Sequence, residues 1–201
     1  MDVFEAMGSA VSMRWLAADP VPDELVEQVL WAATRGSNPG NSQHWHFVVV
    51  RDEETRRDLA QLLTARFGRM RNRPGTAPPP ADPTARRMMD GVAYLVEHLA
   101  DVPVLVFVCA SNQYPANSPS EPMMYSAAFS AAQNLLVAAR ALGLGVTYTT
   151  FHLGSEAEVK TRLGIPDDVR ICVTMPLGWP LRPFGQLTRK PLEEVVHHDH
   201  W

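Results

Sequence analysis

The stretch Arg35–Val50, RGSNPGNSQHWHFVVV, changes character halfway. Its first nine residues are polar or turn-forming, and its end is aromatic and β-branched. Pro39 and Gly40 suffice to turn the chain, so Ser37, Asn38, Asn41 and Gln43 are more polar side chains than a corner requires. His46–Val50 reads as a strand anchored by Trp45 and Phe47.

Working outward, Pro22-Asp23-Glu24 opens a helix with a proline and two acids in its first turn, as the helix dipole favours. Leu25, Val26, Val29, Leu30 and Ala33 then share one face. After the strand, Asp52 is placed to cap a helix to about Phe67, with Leu59, Leu62 and Leu63 inward and Arg56 and Arg57 outward. Gly68–Pro83 is rich in proline and arginine and reads as a break. Helical pattern resumes over 84–100, and PVLVFVCA (103–110) is a strong strand. SNQYPANSPSEP (111–122) is irregular, and Met123–Leu142 is the longest helix, ended by Gly143. VTYTT (146–150) reads as a strand, Ser155 caps a short helix ending at Gly164, and VRICVTMPLG (169–178) is the last strand. This alternation fits either a doubly wound α/β protein or an α+β layered fold.

The 201 residues, 46% hydrophobic and 20% charged, describe an ordinary globular chain. A net charge of −4 without a basic run argues against broad nucleic-acid binding. No apolar run is long enough to span a bilayer, and the N-terminus lacks a signal-peptide pattern, so the expected compartment is the cytoplasm. Cys109 and Cys172 sit in apolar runs and read as buried free thiols. Neither G-x-G-x-x-G after a strand, nor a P-loop, nor a G-x-S-x-G elbow is present. His197, His198, Asp199 and His200 lack the spaced partners of a metal site, so none is expected.

Three segments in order carry a resemblance. The first is SMRW (Ser12–Trp15) followed by DPVPDELVEQVLWAA, against a family pattern R-R-S-x-R then PVPxExLxxxLxAA. The second is SNPGNSQHWHFVVVRD, against PSxxNxQPWxFxVVxD. The third is ALGLGVTYTT, then LGIPDDVRICVTMPLGWP, then RKPLEEVVHHDHW, against a GLG helix end, LGxP…PxGxP and RxPLxEVVHxDRW. Together they resemble the FMN-dependent nitroreductase family across nearly the whole chain.

That resemblance implies an α+β nitroreductase-like fold, with a central mostly antiparallel sheet flanked by helices in an intertwined homodimer. Residues 1–201 would form one domain, with irregular lid or insert segments near 68–83 and 111–122 and a tail, 180–201, reaching the partner subunit. It also implies FMN at the dimer interface and ping-pong transfer of hydride equivalents from NADH or NADPH, through flavin N5, to a nitroaromatic, quinone or related small aromatic acceptor. Neither membrane nor nucleic acid would be a partner.

Residue by residue, the resemblance places Ser12 on phosphate or ribityl and Arg14 near flavin N1 and O2. Ser37, Asn38, Pro39, Asn41 and Gln43 form a wall along the flavin and its ribityl chain. Thr149 and Thr150 lie in the N5 region, without distinguishing which makes the contact. Arg189 and Lys190 supply phosphate contacts. Phe67, Met124 and Tyr125 are substrate-side candidates, although Met123, Met124 and Tyr125 equally begin a helix and face the core. His152 is either a proton donor or a packing or solvent-facing histidine.

The chain departs from the pattern at Ala10 and Val11, where basic or polar residues are usual. A lost charge-assisted hydrogen bond of this kind costs about 1.5–3 kcal/mol unless another cation, such as Arg35, replaces it. Ser37-Asn38 stands for Pro-Ser and His44 for Pro. The same fold accommodates alternatives: a deiodinase-like dehalogenase, a flavin-cleaving enzyme, a natural-product dehydrogenase, or a non-catalytic flavin-storage dimer.

Overall fold

A computed structural model describes residues 1–71 and 82–201. Its sheet has the order β1-β2-β4-β3, built from β1 (Trp45–Val50), β2 (Val104–Ser111), β3 (Gly145–Val146) and β4 (Val169–Gly178). Every pairing is antiparallel, which removes the doubly wound alternative and leaves the α+β fold. Trp45 faces Ala110 and Val50 faces Leu105. Phe107 of β2 faces Thr174 of β4, and a register shift follows at Val108/Cys109.

β2 is buried along its whole length, so its alternate side chains feed two cores. Val104, Val106, Val108 and Ala110 pack with α2 (Asp23–Ala33) and α5 (Glu121–Ala141). Leu105, Phe107 and Cys109 pack with Leu59 and Leu63 of α3 (Glu53–Arg71), Leu95 of α4 (Pro83–His98) and Val159 of α6 (Glu156–Leu163). The two thiols fall in different cores, and burial pushes each up to about 12. α5 presents Ala127, Ala128, Ala131 and Ala132, small enough for close approach. Gly36 exploits this, since a Cβ there would stand 2.8 Å from the Ala131 backbone nitrogen.

Several expectations are corrected. A helix the pattern does not announce, α1 (Val3–Ser9), precedes the rest, its first turn capped by Asp2. α3 runs on to Arg71, past the expected break at Gly68, because no proline interrupts its local bonding before Pro74. The remainder of that break, residues 72–81, lies outside the described residues. Arg56 does not point outward. It is half-buried and donates from Nη1 to the carbonyls of Ala100 (2.8 Å) and Val102 (2.7 Å), in the turn between α4 and β2. Ser155 holds the N-cap position of α6 without a side-chain bond, whereas Gly164 closes the helix at φ 65° as expected. Of the expected 146–150 strand, only Val146 belongs to the two-residue β3, but the Thr147 N–H bonds the Pro176 carbonyl (3.2 Å) and Thr149 bridges Thr174, so the segment keeps its register on β4. Among the described residues no helix is long and apolar enough to cross a membrane.

Candidate functional site

Residues Met13–Ala17 run as a strap along the β3 edge. The Met13 N–H donates to the Val146 carbonyl at 3.0 Å, and the Thr147 hydroxyl donates to the Met13 carbonyl at 2.6 Å. Further along, Leu16 bridges Pro180, the Ala17 N–H reaches the Trp179 carbonyl (2.8 Å), and the Leu181 N–H reaches the Trp15 carbonyl (2.9 Å). Met13 and Leu16 are buried against Gly145, where a Cβ would meet them at 2.6 and 2.7 Å. Their burial fixes the strap's facing and leaves Arg14 to line a cavity of about 340 Å³.

The cavity's walls come from separate elements. Phe67 of α3 meets Phe151 edge-on, with ring centroids 4.7 Å apart. Val92 and Leu95 of α4 supply apolar surface, and residues 147–150 supply the polar side. Tyr148, whose phenol burial pushes up to about 12, connects through Phe129 to Tyr125 on α5, at 6.2 and 5.4 Å between centroids. Volume and mixed lining suit a small-molecule site.

Arg14 is the charged member of this lining. Burial lowers its pKa from the ordinary arginine value, and it has no hydrogen bond or ion pair among the described residues. A desolvated, unpaired guanidinium is costly, and an electron-rich or anionic ligand would relieve that cost.

The two threonines separate cleanly. Thr149 is buried, its N–H and its hydroxyl both donate to the Thr174 carbonyl (3.0 and 2.7 Å), and its oxygen also receives the Phe151 N–H. Thr150 is exposed, and among the described residues neither its N–H nor its hydroxyl has a partner. Thr150 therefore has donors to offer a ligand, and Thr149 does not.

Other expected residues are not brought to this cavity. Ser12 is half-buried beside it without lining it. Pro39–Asn41 forms a 3₁₀ turn, with Gly40, Asn41 and Gln43 all at positive φ (58°, 49°, 54°). The Gln43 N–H donates to Asn38 Oδ1 (3.0 Å), the Gln43 side-chain amide reaches the Asn41 carbonyl, and Tyr114 covers Gly40. This loop, with Ser37, leads into β1, whereas Arg14 and Thr150 lie beyond β3. Three strand spacings, roughly 14 Å, separate the two edges. Arg35 is also elsewhere, stacked on Trp31 at 5.3 Å and bonded to Thr34.

Met124 is buried in the α2/α5 core and Tyr125 packs partly against it, so neither lines the cavity, in accord with the core-facing alternative. His152 is buried, with Nδ1 3.0 Å from the Thr174 hydroxyl, and is a packing residue. Arg189 and Lys190 are exposed, and Arg189 donates to the Thr188 carbonyl. The tail is nevertheless anchored nearby, because the Leu187 N–H bonds the Gly8 carbonyl at 2.8 Å. Sequence reasoning missed Val92, Leu95 and Phe151; the i, i+3 spacing of the first two on an amphipathic helix was the available signal. No group of metal-ligating side chains occurs among the described residues.

The model of the nitroreductase family matches residues 9–179. A "Putative NADH dehydrogenase/NAD(P)H nitroreductase" of Archaeoglobus fulgidus is 26% identical over 197 residues, 94% of this chain and 93% of the relative. One of the same name from Methanothermobacter thermautotrophicus is 28% identical over 205 residues, 100% of this chain and 88% of the relative. A crystal structure of oxidised iodotyrosine deiodinase bound to FMN and 3-iodo-L-tyrosine superposes with a TM-score of 0.78 at 19% identity, covering 100% of both chains. That likeness establishes the fold.

Proposed function

Because the chain belongs to the nitroreductase family, we propose that it is an FMN-dependent NAD(P)H oxidoreductase acting on a nitroaromatic, quinone or related planar acceptor. The observation that carries this reading is the half-buried guanidinium of Arg14 in one cavity with the donors of Thr150, both without a partner among the described residues. FMN bound there would supply the two-electron chemistry between NADH or NADPH and the acceptor. Arg14 would stabilise negative charge on the bound flavin, and Thr150 would offer it hydrogen-bond donors. Val92, Leu95 and the Phe67–Phe151 pair exclude water and offer an aromatic surface to the acceptor.

Arg189 and Lys190 hold the phosphate in place of the cations absent at Ala10 and Val11. Leu187's bond to Gly8 supports this, bringing the tail to within two residues of Arg189 and the N-terminal segment to within four of Ser12. The loop carrying Ser37, Asn38, Pro39, Asn41 and Gln43 comes from a second copy, since one chain keeps it on the opposite sheet edge. The working unit is therefore a homodimer, to which the exposed Leu192, Val195, Val196 and Trp201 of the tail contribute apolar surface. The reducing cytoplasm suits its two free thiols.

Purified protein should show a flavin spectrum that NADH or NADPH bleaches anaerobically and that nitrofurazone or menadione restores. Bound flavin that neither nucleotide reduces would instead indicate storage, and protein without flavin affinity would refute the reading. The likeness to iodotyrosine deiodinase motivates one second reading, reductive dehalogenation. Among the described cavity-lining residues there is no carboxylate to receive an amino acid's ammonium group, which favours the first. Iodide release from 3-iodotyrosine with reduced protein would reverse that preference.

A further inference from the structure

α4 carries a glycine, Gly91, in its interior, where alanine is intrinsically favoured. Gly91 is buried where the helix crosses the strap. A Cβ at this position would stand 2.8 Å from Trp15 Cη2, 3.1 Å from Trp15 Cζ3 and 3.1 Å from Arg14 Cδ. The first of these is closer than packed carbon atoms tolerate. The strap's backbone is held at both ends, by Val146 and Thr147 at Met13 and by Trp179–Leu181 at Trp15–Ala17. The Trp15 ring is itself engaged, with the Arg182 guanidinium 3.8 Å from its centroid and the Tyr94 ring at 6.2 Å. An added methyl group must therefore push α4 off the strap, carrying Val92 and Leu95 with it, or displace the Trp15 ring and the Arg14 stem.

We propose that Gly91 is a positioning residue for the cofactor site: by presenting no side chain, it lets α4 seat against Trp15 and hold Arg14 at its working depth in the cavity. The inference rests on the FMN reading above and assigns a role to a residue that touches no ligand. Because Arg14 is the cation that meets the charge added on reduction, its displacement should alter flavin energetics as well as occupancy.

The test compares wild type, Gly91→Ala, Trp15→Phe and the double variant. Readouts are FMN affinity by titration of the apoprotein, the midpoint potential of the bound flavin, and apoprotein melting temperature. Gly91→Ala should weaken FMN binding about tenfold or more, the scale of one charge-assisted hydrogen bond, and make the midpoint potential more negative. Phenylalanine lacks the Cη2 and Cζ3 positions and leaves only the 3.1 Å approach to the flexible Arg14 stem, so the double variant should lie much closer to Trp15→Phe than Gly91→Ala lies to wild type in both readouts. Affinity and potential unchanged in Gly91→Ala would overturn the inference, as would a double variant as impaired as Gly91→Ala. If Gly91→Ala does not fold, the double variant against Trp15→Phe decides: closely matched potentials support the inference, and a markedly more negative one in the double variant overturns it. Wild-type protein that binds no FMN would sink the site reading itself, an outcome distinct from these.

Discussion

The Thr147 hydroxyl donates to the Met13 carbonyl at 2.6 Å, across 134 residues of sequence and within the buried interior. With the Val146 carbonyl accepting the Met13 N–H, it sets the register of the strap against β3, and so the placement of Arg14. Thr147→Val keeps the shape and removes the donor, leaving the Met13 carbonyl unsatisfied. The expected loss is about 1–3 kcal/mol in urea unfolding, with a parallel fall in FMN affinity.

Arg14→Ala should separate apoprotein stability from cofactor affinity. The wild-type guanidinium is half-buried without a described partner, so its removal should leave urea stability of the apoprotein unchanged or slightly raised. FMN affinity should fall about tenfold or more, and the midpoint potential should become more negative. A stability loss without a change in affinity would place Arg14 among packing residues.

Arg189→Ala/Lys190→Ala tests the phosphate assignment. Both side chains are exposed in the chain, so melting of the apoprotein should not move. Flavin titration should show weaker binding with a shallower dependence on salt, since two cations no longer meet the phosphate. Unchanged affinity would locate the phosphate elsewhere.

His152 gives a pH signature. Desolvation, the largest influence, lowers its pKa in the folded protein, while Glu156 acts in the opposite direction. The unfolded chain therefore binds a proton more readily, and the folded state is penalised as pH falls. Its contribution is fully present above the ordinary histidine value of about 6.5 and declines as pH drops below it toward the folded value. Unfolding free energy should fall between pH 7 and pH 5.5, and His152→Asn should flatten that slope. An unchanged slope would assign the pH dependence to other groups.

Gly36→Ala should be among the more damaging single-methyl additions. The nearest atoms to the new Cβ, at 2.8–3.0 Å, are backbone atoms of Ser130 and Ala131, which cannot rotate away. A cost of about 1–3 kcal/mol in denaturant unfolding is expected.

The strands and long helices were legible because their apolar residues repeat at periods their burial enforces. α1 was not: its large apolar residues Val3, Phe4 and Met7 are exposed, and its inward face is made of Ala6 and Ser9, too small or polar to stand out as a hydrophobic period. Arg56 was misread because charge suggests solvent, while its guanidinium serves two carbonyls more than 40 residues away. At the site, the resemblance pointed to Arg14, Thr149 and Thr150. Choosing Thr150 over Thr149 required the bridge to Thr174, which no local pattern records. The loop from Ser37 to Gln43 was recognisable by composition, yet its distance from Arg14 depends on strand order, which periodicity does not encode.

The uncommitted N–H of Thr150 has a consequence for how such a site drifts and how it is surveyed. An amide belongs to every residue except proline, so a ligand contact made by this N–H would survive almost any replacement of the side chain. An alanine scan across the cavity would register the hydroxyl and stay silent on its neighbour. Conservation of the contact would then be invisible in the amino-acid letters, and only an edit to the main chain itself, such as an ester in place of the amide, would read it.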